Sequence, residues 1–291
     1  MSGAAALRAA LAGDDVVIAP GCYDALTALL IEQAGFGCAY LGGASVAFSR
    51  LGRPDIGLTT MSEMADTVSN ICERVAIPLI VDADNGFGNA LNVRRTVRAY
   101  ERAGAAAIQL EDQTLPKRCG HLPGKSLISR AEMLGKIRAA QDAREHDDTL
   151  IIARTDAISV VGLDEALQRG AAYLEAGADV LFVESPRDRE ELARIGAEFG
   201  AQIPLLANMV EGGKTPILPA PELRELGFRL VIFPGAMVRV LSRAAQEYLE
   251  VLRRDGSTLN FLDRMNDFAA INAVIGTDEM LDLGERYRDE D

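Results

Sequence analysis

The sequence predicts an α/β fold, a (β/α)8 or TIM barrel, on three observations. At four places a helix-like stretch stops at a glycine and an apolar run follows at once: Gly35 before 38–41, Gly104 before 106–110, Gly177 before 179–183 and Gly227 before 230–233. Glycine just past a helix end takes the left-handed conformation that stops helices, so each instance reads as helix, stop, buried strand. Four further apolar runs, 16–19, 77–81, 150–153 and 204–207, complete eight strand candidates. Polar residues then follow directly on five of these runs. Eight buried strands alternating with helices fit a closed barrel better than a doubly wound sheet, and such a barrel carries its chemistry at the carboxyl ends of its strands.

Taken in order, the first run leads to Cys22, and the second contains Tyr40 and is followed by Gly42 and Gly43. Thr60-Met61-Ser62-Glu63 reads as a capping box, opening a helix whose stripe is Met64, Val68, Ile71, Cys72 and Val75. The third run ends Val81-Asp82-Ala83-Asp84 and the fourth Leu110-Glu111-Asp112. A second capping box, Ser129 to Glu132, opens a helix carrying Met133, Ile137 and Ala140. The remaining site-bearing runs end Ala153-Arg154-Thr155-Asp156, Val183-Glu184 and Ala207-Asn208. No proline- or serine-rich linker divides the chain, so 1–291 reads as a single barrel domain with 258–291 as a helical extension. Within it, 261–287 has apolar positions but no strand, and such arms commonly pack on another subunit.

Composition narrows the partners. Thirty basic against 43 acidic residues leave a formal charge of −13, which argues against nucleic acid or an anionic membrane. A small anionic substrate, held by a few local cations or a metal, is not excluded. The longest uncharged run, 33–49, is interrupted by glycines and shorter than the ~20 apolar residues of a membrane helix. Arg8 and Asp14-Asp15 interrupt the alanine-rich start, so no signal peptide is expected and a cytoplasmic location is.

Asp82 and Asp84 stand two apart and point to one side of an extended chain, where Glu111 and Glu184 are placed to join them. Four carboxylates at close range require a cation, and oxygen ligands without histidine favour magnesium or manganese. The segment 114–128 lengthens the gap before the fifth strand and reads as a lid. Cys119 there is flanked by Lys117, Arg118 and His121, cations that would stabilise a thiolate and make it an acid, base or nucleophile. Cys38 and Cys72 read as packing residues and Cys22 is undecided; with no C-x-x-C, neither zinc nor disulfides are suggested. His146 falls in a solvated turn. Residues 120–126 are one short of a phosphate loop, and Gly42-Gly43-Ala44-Ser45-Val46 is not a nucleophile elbow.

These segments resemble the isocitrate lyase/phosphoenolpyruvate mutase superfamily. Asp82-Ala83-Asp84-Asn85-Gly86-Phe87-Gly88, Glu111-Asp112-Gln113, Lys117-Arg118-Cys119-Gly120-His121 and Ala153-Arg154-Thr155-Asp156 occur in its order and spacing, and the likeness runs from about residue 20 to 255. The resemblance implies an eighth helix swapped between subunits of a homotetramer. It implies magnesium (manganese as substitute) on Asp84, with Asp82 and Glu111 acting through water. Tyr40, Gly42 and Gly43 would line the pocket, Asp55 and Arg154 would orient the substrate, and Gly120, Glu184 and Asn208 would complete the site. Cys119 would ride a gating loop with Lys117 and His121.

The implied reaction is carbon–carbon cleavage of a 2-hydroxy di- or tricarboxylic acid to a 2-oxo acid such as pyruvate. Cys119 would protonate the departing carbanion, and Tyr40 is the candidate acceptor of the hydroxyl proton. Isocitrate and methylisocitrate lyases resemble each other in a hydroxyl residue two positions after the strand-seven asparagine; here Val210 stands there, and Gly42 replaces the serine of methylisocitrate lyases. Both departures turn the expectation toward 2-alkylmalates or 2,3-dimethylmalate. The alternatives are a carboxyphosphonoenolpyruvate mutase-like enzyme and an oxaloacetate hydrolase or decarboxylase.

Overall fold

In a computed structural model describing residues 2–288, the apolar runs pair in chain order into one closed parallel barrel. Its strands are β1 (Val17–Cys22), β2 (Ala39–Leu41), β3 (Leu79–Asp82), β4 (Ala107–Glu111), β5 (Leu150–Thr155), β6 (Val180–Val183), β7 (Leu205–Asn208) and β8 (Leu230–Phe233). Closure pairs β1 with β8, Val17 opposite Leu230 and Pro20 opposite Phe233. The runs are continuously apolar because helices cover the outer face while side chains fill the interior. All four predicted helix-ending glycines have positive φ, from 83° at Gly35 to 103° at Gly104.

One strand differs from expectation. β1 continues past the predicted end at position 19, through Pro20 and Gly21, and takes in Cys22. Gly21 lies against Pro234, whose carbonyl oxygen would stand 2.2 Å from an added Cβ. Glycine there permits a close approach between β1 and the end of β8.

The interior is filled by Ala19, Tyr40, Ile80, Ala107, Ile152, Phe182, Leu206 and Ile232. Helix α1 (Gly3–Leu11) adds Ala4, Leu7 and Leu11 to the same cluster, three and four residues apart on one helical face. Each buried leucine contributes about 1.5–3 kcal/mol, so the alanine-rich start is a plug for the barrel.

Helices α2 (Ala25–Gln33), α3 (Gly43–Val46), α4 (Met61–Arg74), α5 (Ala90–Arg102), α6 (Arg130–Gln141), α7 (Leu163–Glu175), α8 (Arg189–Phe199) and α9 (Ala220–Glu225) lie between the strands. The Thr60–Glu63 box closes reciprocally. At Ser129 only half forms: its hydroxyl accepts from the Glu132 amide.

Contacts divide the chain into Met1–Val238 and Arg239–Asp291, so the division falls before position 258, inside α10 (Ala236–Asp255). The second unit continues with α11 (Phe268–Ile275) and α12 (Thr277–Glu285). Phe261 is its anchor, edge-on to Tyr248 at 5.6 Å and beneath Arg264. No described residue of α10, α11 or α12 is buried. The last three positions of the predicted extension lie outside the described residues. Among those described, no helix is long and apolar enough to cross a membrane.

Candidate active site

The ends of β2, β3 and β4 supply the first half of the site. Asp82 closes β3, its Oδ1 accepting from the Asp84 amide (3.0 Å) and Gln109 Nε2 (3.2 Å), and its Oδ2 from the Gly43 amide (3.2 Å). Asp84 follows with φ of 47°, a left-handed conformation uncommon outside glycine and tolerated best by Asp and Asn. Lys117 Nζ is 2.6 Å from Asp84 Oδ1 and donates to Asp55 Oδ1 at 2.5 Å. The contact with Asp84 is an ion pair without hydrogen-bond alignment, since the same Oδ1 has no hydrogen-bond donor. Burial pushes the Asp84 carboxyl up to about 7; Lys117 opposes this, while Asp82 and Asp55 add to it. Lys117 stays firmly charged, because Asp84 and Asp55 outweigh the burial that would strip its proton.

The ends of β4, β5 and β6 supply the second half. Arg154 donates through Nε and Nη2 to Asp156 (2.9 and 3.1 Å), with Nε 3.3 Å from Glu111 Oε2 and Nη2 3.5 Å from Glu184 Oε2. Its guanidinium lies 5.1 Å above the Phe182 ring. Asn208 donates to Glu184 Oε2 at 3.0 Å. Burial opposes the charge on Asp156, yet Arg154 and Lys125 hold its carboxyl down at about 2. Burial raises Glu111 well above the usual carboxylate range despite Arg154.

The 114–128 segment folds over these groups. Gln113 pins it by accepting from the Arg118 amide (3.0 Å) and donating to the Arg118 carbonyl (2.8 Å). The Cys119 amide donates to the Asp55 carbonyl at 3.2 Å. Gly120 then passes so close that a Cβ would stand 2.6 Å from Arg154 Nη2 and 2.9 Å from Glu184 Cδ. Only glycine fits there. His121 Nδ1 accepts from the Lys214 amide at 3.1 Å, which leaves the ring proton on Nε2, 3.7 Å from Glu184 Oε1.

The expected thiolate at Cys119 is corrected by this geometry. Burial is the largest influence and raises the thiol, with Asp55 and Glu184 adding to it against Arg154. Burial likewise lowers His121, a neutral imidazole and not a cation. Lys117 faces carboxylates instead of the sulfur, and Arg118 is exposed. Cys119 is therefore a protonated thiol, suited to giving a proton. Tyr40 is buried, donates to Gln109 Oε1 at 3.0 Å, and has its phenol pushed well up by burial and then by Asp82. That phenol is a poor proton acceptor.

The structure brings together the other predicted site residues, with Gly42 beside the Tyr40 ring. His146 is exposed, as expected. Cys38 and Cys22 are fully buried, while Cys72 is only partly so. Five supporting residues, Asp112, Lys125, Asp156, Arg169 and Tyr173, were not assigned from sequence. Asp112 accepts from Thr155 Oγ1 and Tyr173 OH (both 2.7 Å), from Arg169 (3.0 Å), and from the Asp156 amide (2.9 Å). Lys125 Nζ is 2.7 Å from Asp156 Oδ1. Asp112 adjoins Glu111 in sequence, which is a usable signal; Lys125, Arg169 and Tyr173 carry none.

Five buried polar atoms around this mouth have no hydrogen-bond partner: Asp84 Oδ1, Glu111 Oε1, His121 Nε2, Asn208 Oδ1 and Thr215 Oγ1. Each such group costs about 1–3 kcal/mol when left unmade, so their concentration marks where ligand atoms belong. The free Oε1 of Glu111, with Asp82 and the Lys117-paired carboxylate of Asp84 beside it, fits a hard cation. No three His, Cys, Asp or Glu side chains among the described residues enclose an ion by themselves. The donor set suits an ion that keeps several waters, as magnesium does.

Residues 7–253 match the family model described as phosphoenolpyruvate phosphomutase. The chain is 46% identical to 2,3-dimethylmalate lyase of Eubacterium barkeri over 99% of both proteins. It is 48% identical to 2-methylisocitrate lyase of Aeropyrum pernix, covering 93% of this chain and 86% of that one. Among solved structures, oxaloacetate acetylhydrolase with 3,3-difluorooxalacetate superimposes with a TM-score of 0.92 at 37% identity, over 98% of this chain and 96% of that one. Phosphonopyruvate hydrolase with oxalate and Mg++ gives 0.90 at 34% identity, over 99% of each.

Proposed function

Since the chain belongs to the phosphoenolpyruvate phosphomutase family, within the PEP mutase/isocitrate lyase superfamily, we propose that it is a magnesium-dependent carbon–carbon lyase. Its substrates are 2-hydroxy dicarboxylic acids of the 2,3-dimethylmalate or 2-alkylmalate type, with methylisocitrate a weaker one. The observation that carries this reading is Gly120 seated against Arg154 beside the protonated thiol of Cys119. A proton donor is thereby held next to a buried cation of the mouth.

Arg154 and Asp55 orient the substrate carboxylate and its 2-oxygen. The 2-hydroxyl gives up its proton, the C2–C3 bond breaks, and C2 becomes the carbonyl of the 2-oxo acid. A carboxylate of the mouth replaces Tyr40 as acceptor of that proton, since burial holds both the Tyr40 phenol and the Glu111 carboxyl protonated. The electron pair left on C3, spread into its carboxylate, takes the proton of the Cys119 thiol. One proton leaves and one arrives, with no net oxidation. Asp84, with Asp82 and Glu111 through water, would hold magnesium, which supplies Lewis-acid stabilisation of the developing oxyanion. Preorganised charge of this kind is commonly the largest contribution to the rate.

The C-terminal helices support a second part of the proposal. Exposed apolar side chains such as Leu249, Phe268 and Met280 suit coverage by further copies in a homotetramer with the eighth helix exchanged. We place the enzyme in the cytoplasm.

The deciding assay incubates the magnesium-loaded protein with 2,3-dimethylmalate, 2-alkylmalates and methylisocitrate, reading 2-oxo acid release through a coupled dehydrogenase. Cys119→Ser is expected to lower turnover by roughly 10²–10³-fold while substrate still binds. Inert hydroxy acids, together with a phosphonate signal by phosphorus NMR, would replace the lyase with a phosphonomutase. Oxalate from oxaloacetate would point to hydrolysis instead.

A further inference from the structure

We infer that Lys125 and Asp156 are positioning residues coupling closure of the 114–128 loop to carboxylate capture at Arg154, an inference that rests on the lyase reading of the same site. Lys125 belongs to the loop, yet its side chain is only 2% exposed and that of Asp156 is 0%. Its Nζ lies 2.7 Å from Asp156 Oδ1 and also donates to the Gly120 carbonyl. The same Oδ1 accepts from Arg154 Nη2 at 3.1 Å. Gly120 in turn lies against Arg154, with a notional Cβ 2.6 Å from Nη2. The ring of contacts is closed: Arg154, Asp156, Lys125, Gly120, and back to Arg154.

Sharing one carboxylate oxygen gives the ring its consequence. When the loop is away, Lys125 is away with it, and the Asp156 charge falls undivided on Arg154, beside Glu111 and Glu184. When the loop closes, the ammonium takes part of the Oδ1 charge, leaving more of the guanidinium's charge for a substrate anion. Asp156 does not follow either cation, because its amide is fixed to Asp112, itself held by Thr155, Tyr173 and Arg169. Burying the Lys125 ammonium is unfavourable unless both partners are present. Closure and anion binding therefore favour each other, and by thermodynamic linkage each strengthens the other by one factor.

The test uses the magnesium-loaded protein with oxalate as the probe dianion and an arginine-specific protease. Arg118 is exposed in the loop, and mass spectrometry reads cleavage after it. Oxalate is expected to slow that cleavage about tenfold in the unaltered protein. Lys125→Met should reduce the protection to under about threefold, weaken oxalate binding by the factor lost, and lower kcat/KM about tenfold, with Lys125→Arg retaining most of each. If Lys125→Met does not fold, Lys125→Gln carries the same expectations. A side chain that merely packs the loop would raise cleavage equally with and without oxalate and leave the affinity unchanged. That outcome, or no protection by oxalate in the unaltered protein, would overturn the coupling. Failure of the lyase reading registers separately, as absent 2-oxo acid release while protection and affinity still respond to Lys125.

Discussion

The barrel mouth and the C-terminal unit depart from ordinary residue placement in opposite directions. The mouth buries charge: Asp156 is 0% exposed, Glu111 and Glu184 1%, Lys117 4% and Arg154 7%. The C-terminal helices expose apolar groups, with Phe268 at 86%, Met280 at 67% and Leu249 at 57%. Both placements carry a penalty in an isolated chain. In the mouth most of it is met internally, because carboxylates and cations alternate, and what remains is a handful of oxygen and nitrogen atoms without partners. In the C-terminal helices these three side chains stay exposed. The mouth is thus preorganised for a small ligand, and the helices are suited to a large apolar partner.

Removing the central cation should break the mouth most severely. Arg154→Met takes the guanidinium from Glu111 and Glu184 and leaves Asp156 with Lys125 alone, and breaking such a buried network costs about 3–5 kcal/mol. We expect turnover to fall by roughly 10³-fold or more, with thermal unfolding at distinctly lower temperature. Unchanged melting would mean that the ion pairs do not organise the mouth.

Metal removal gives the next largest effect and a pH signature. The Asp84 carboxyl sits at about 7 in the folded chain, above its ordinary value of 3.8. The folded state therefore holds this proton more tightly than the unfolded state. Its contribution to stability is full below about 4 and is lost as pH rises through about 7. Metal-free protein should melt several degrees lower at pH 8 than at pH 5, relative to Asp84→Asn, which lacks the titration. Magnesium should restore stability at the alkaline end and bind more weakly below pH 7, where it competes with the proton. Parallel melting profiles for the two proteins in chelator would mean the Asp84 carboxyl is not raised, and unaltered magnesium affinity in Asp84→Asn would remove Asp84 from the metal site.

A smaller effect on the barrel, but a decisive one on assembly, is expected from Leu249→Glu with Phe268→Glu. Light scattering should show a shift from tetramer toward monomer at micromolar concentration. Helical content should change little, since neither side chain is buried within its own chain. An unaltered protein that is already monomeric would leave these helices without the proposed partner.

What was legible in the sequence follows the range of the interactions. Parallel strands covered on both sides write continuous apolar runs, and helix ends write glycine, so seven strands were placed closely and β1 was ended early, before Pro20. Asp82, Asp84, Glu111, Arg154 and Glu184 were legible because the barrel puts strand ends at the site. Lys125 was not: its partner Asp156 lies 31 residues on, and its own neighbours suggest a phosphate loop. Arg169 meets Asp112 across 57 residues with no local mark. Cys119 shows the converse error, in which neighbours along the chain stood for neighbours in space. Lys117 spends its charge on Asp55 and Asp84, and burial, invisible in sequence, decides the state of the thiol.

The finest test concerns substrate size at Val210. A valine just after β7 offers no hydrogen bond to a further carboxylate, while Asn208 two residues earlier is engaged with Glu184. Val210→Ser adds one donor and removes two methyl groups, and an added hydrogen bond contributes about 0.5–1.5 kcal/mol, or 1.5–3 to a charged group. Discrimination between substrates from such a change is therefore about 3–100-fold. We expect kcat/KM for methylisocitrate to rise by about tenfold relative to 2,3-dimethylmalate, with the dimethylmalate value itself moving less than about threefold. The Cys119→Ser defect should persist in the variant, since the proton donor is untouched. A uniform change for both substrates would place Val210 in loop packing and leave the preference for dicarboxylic acids to other residues.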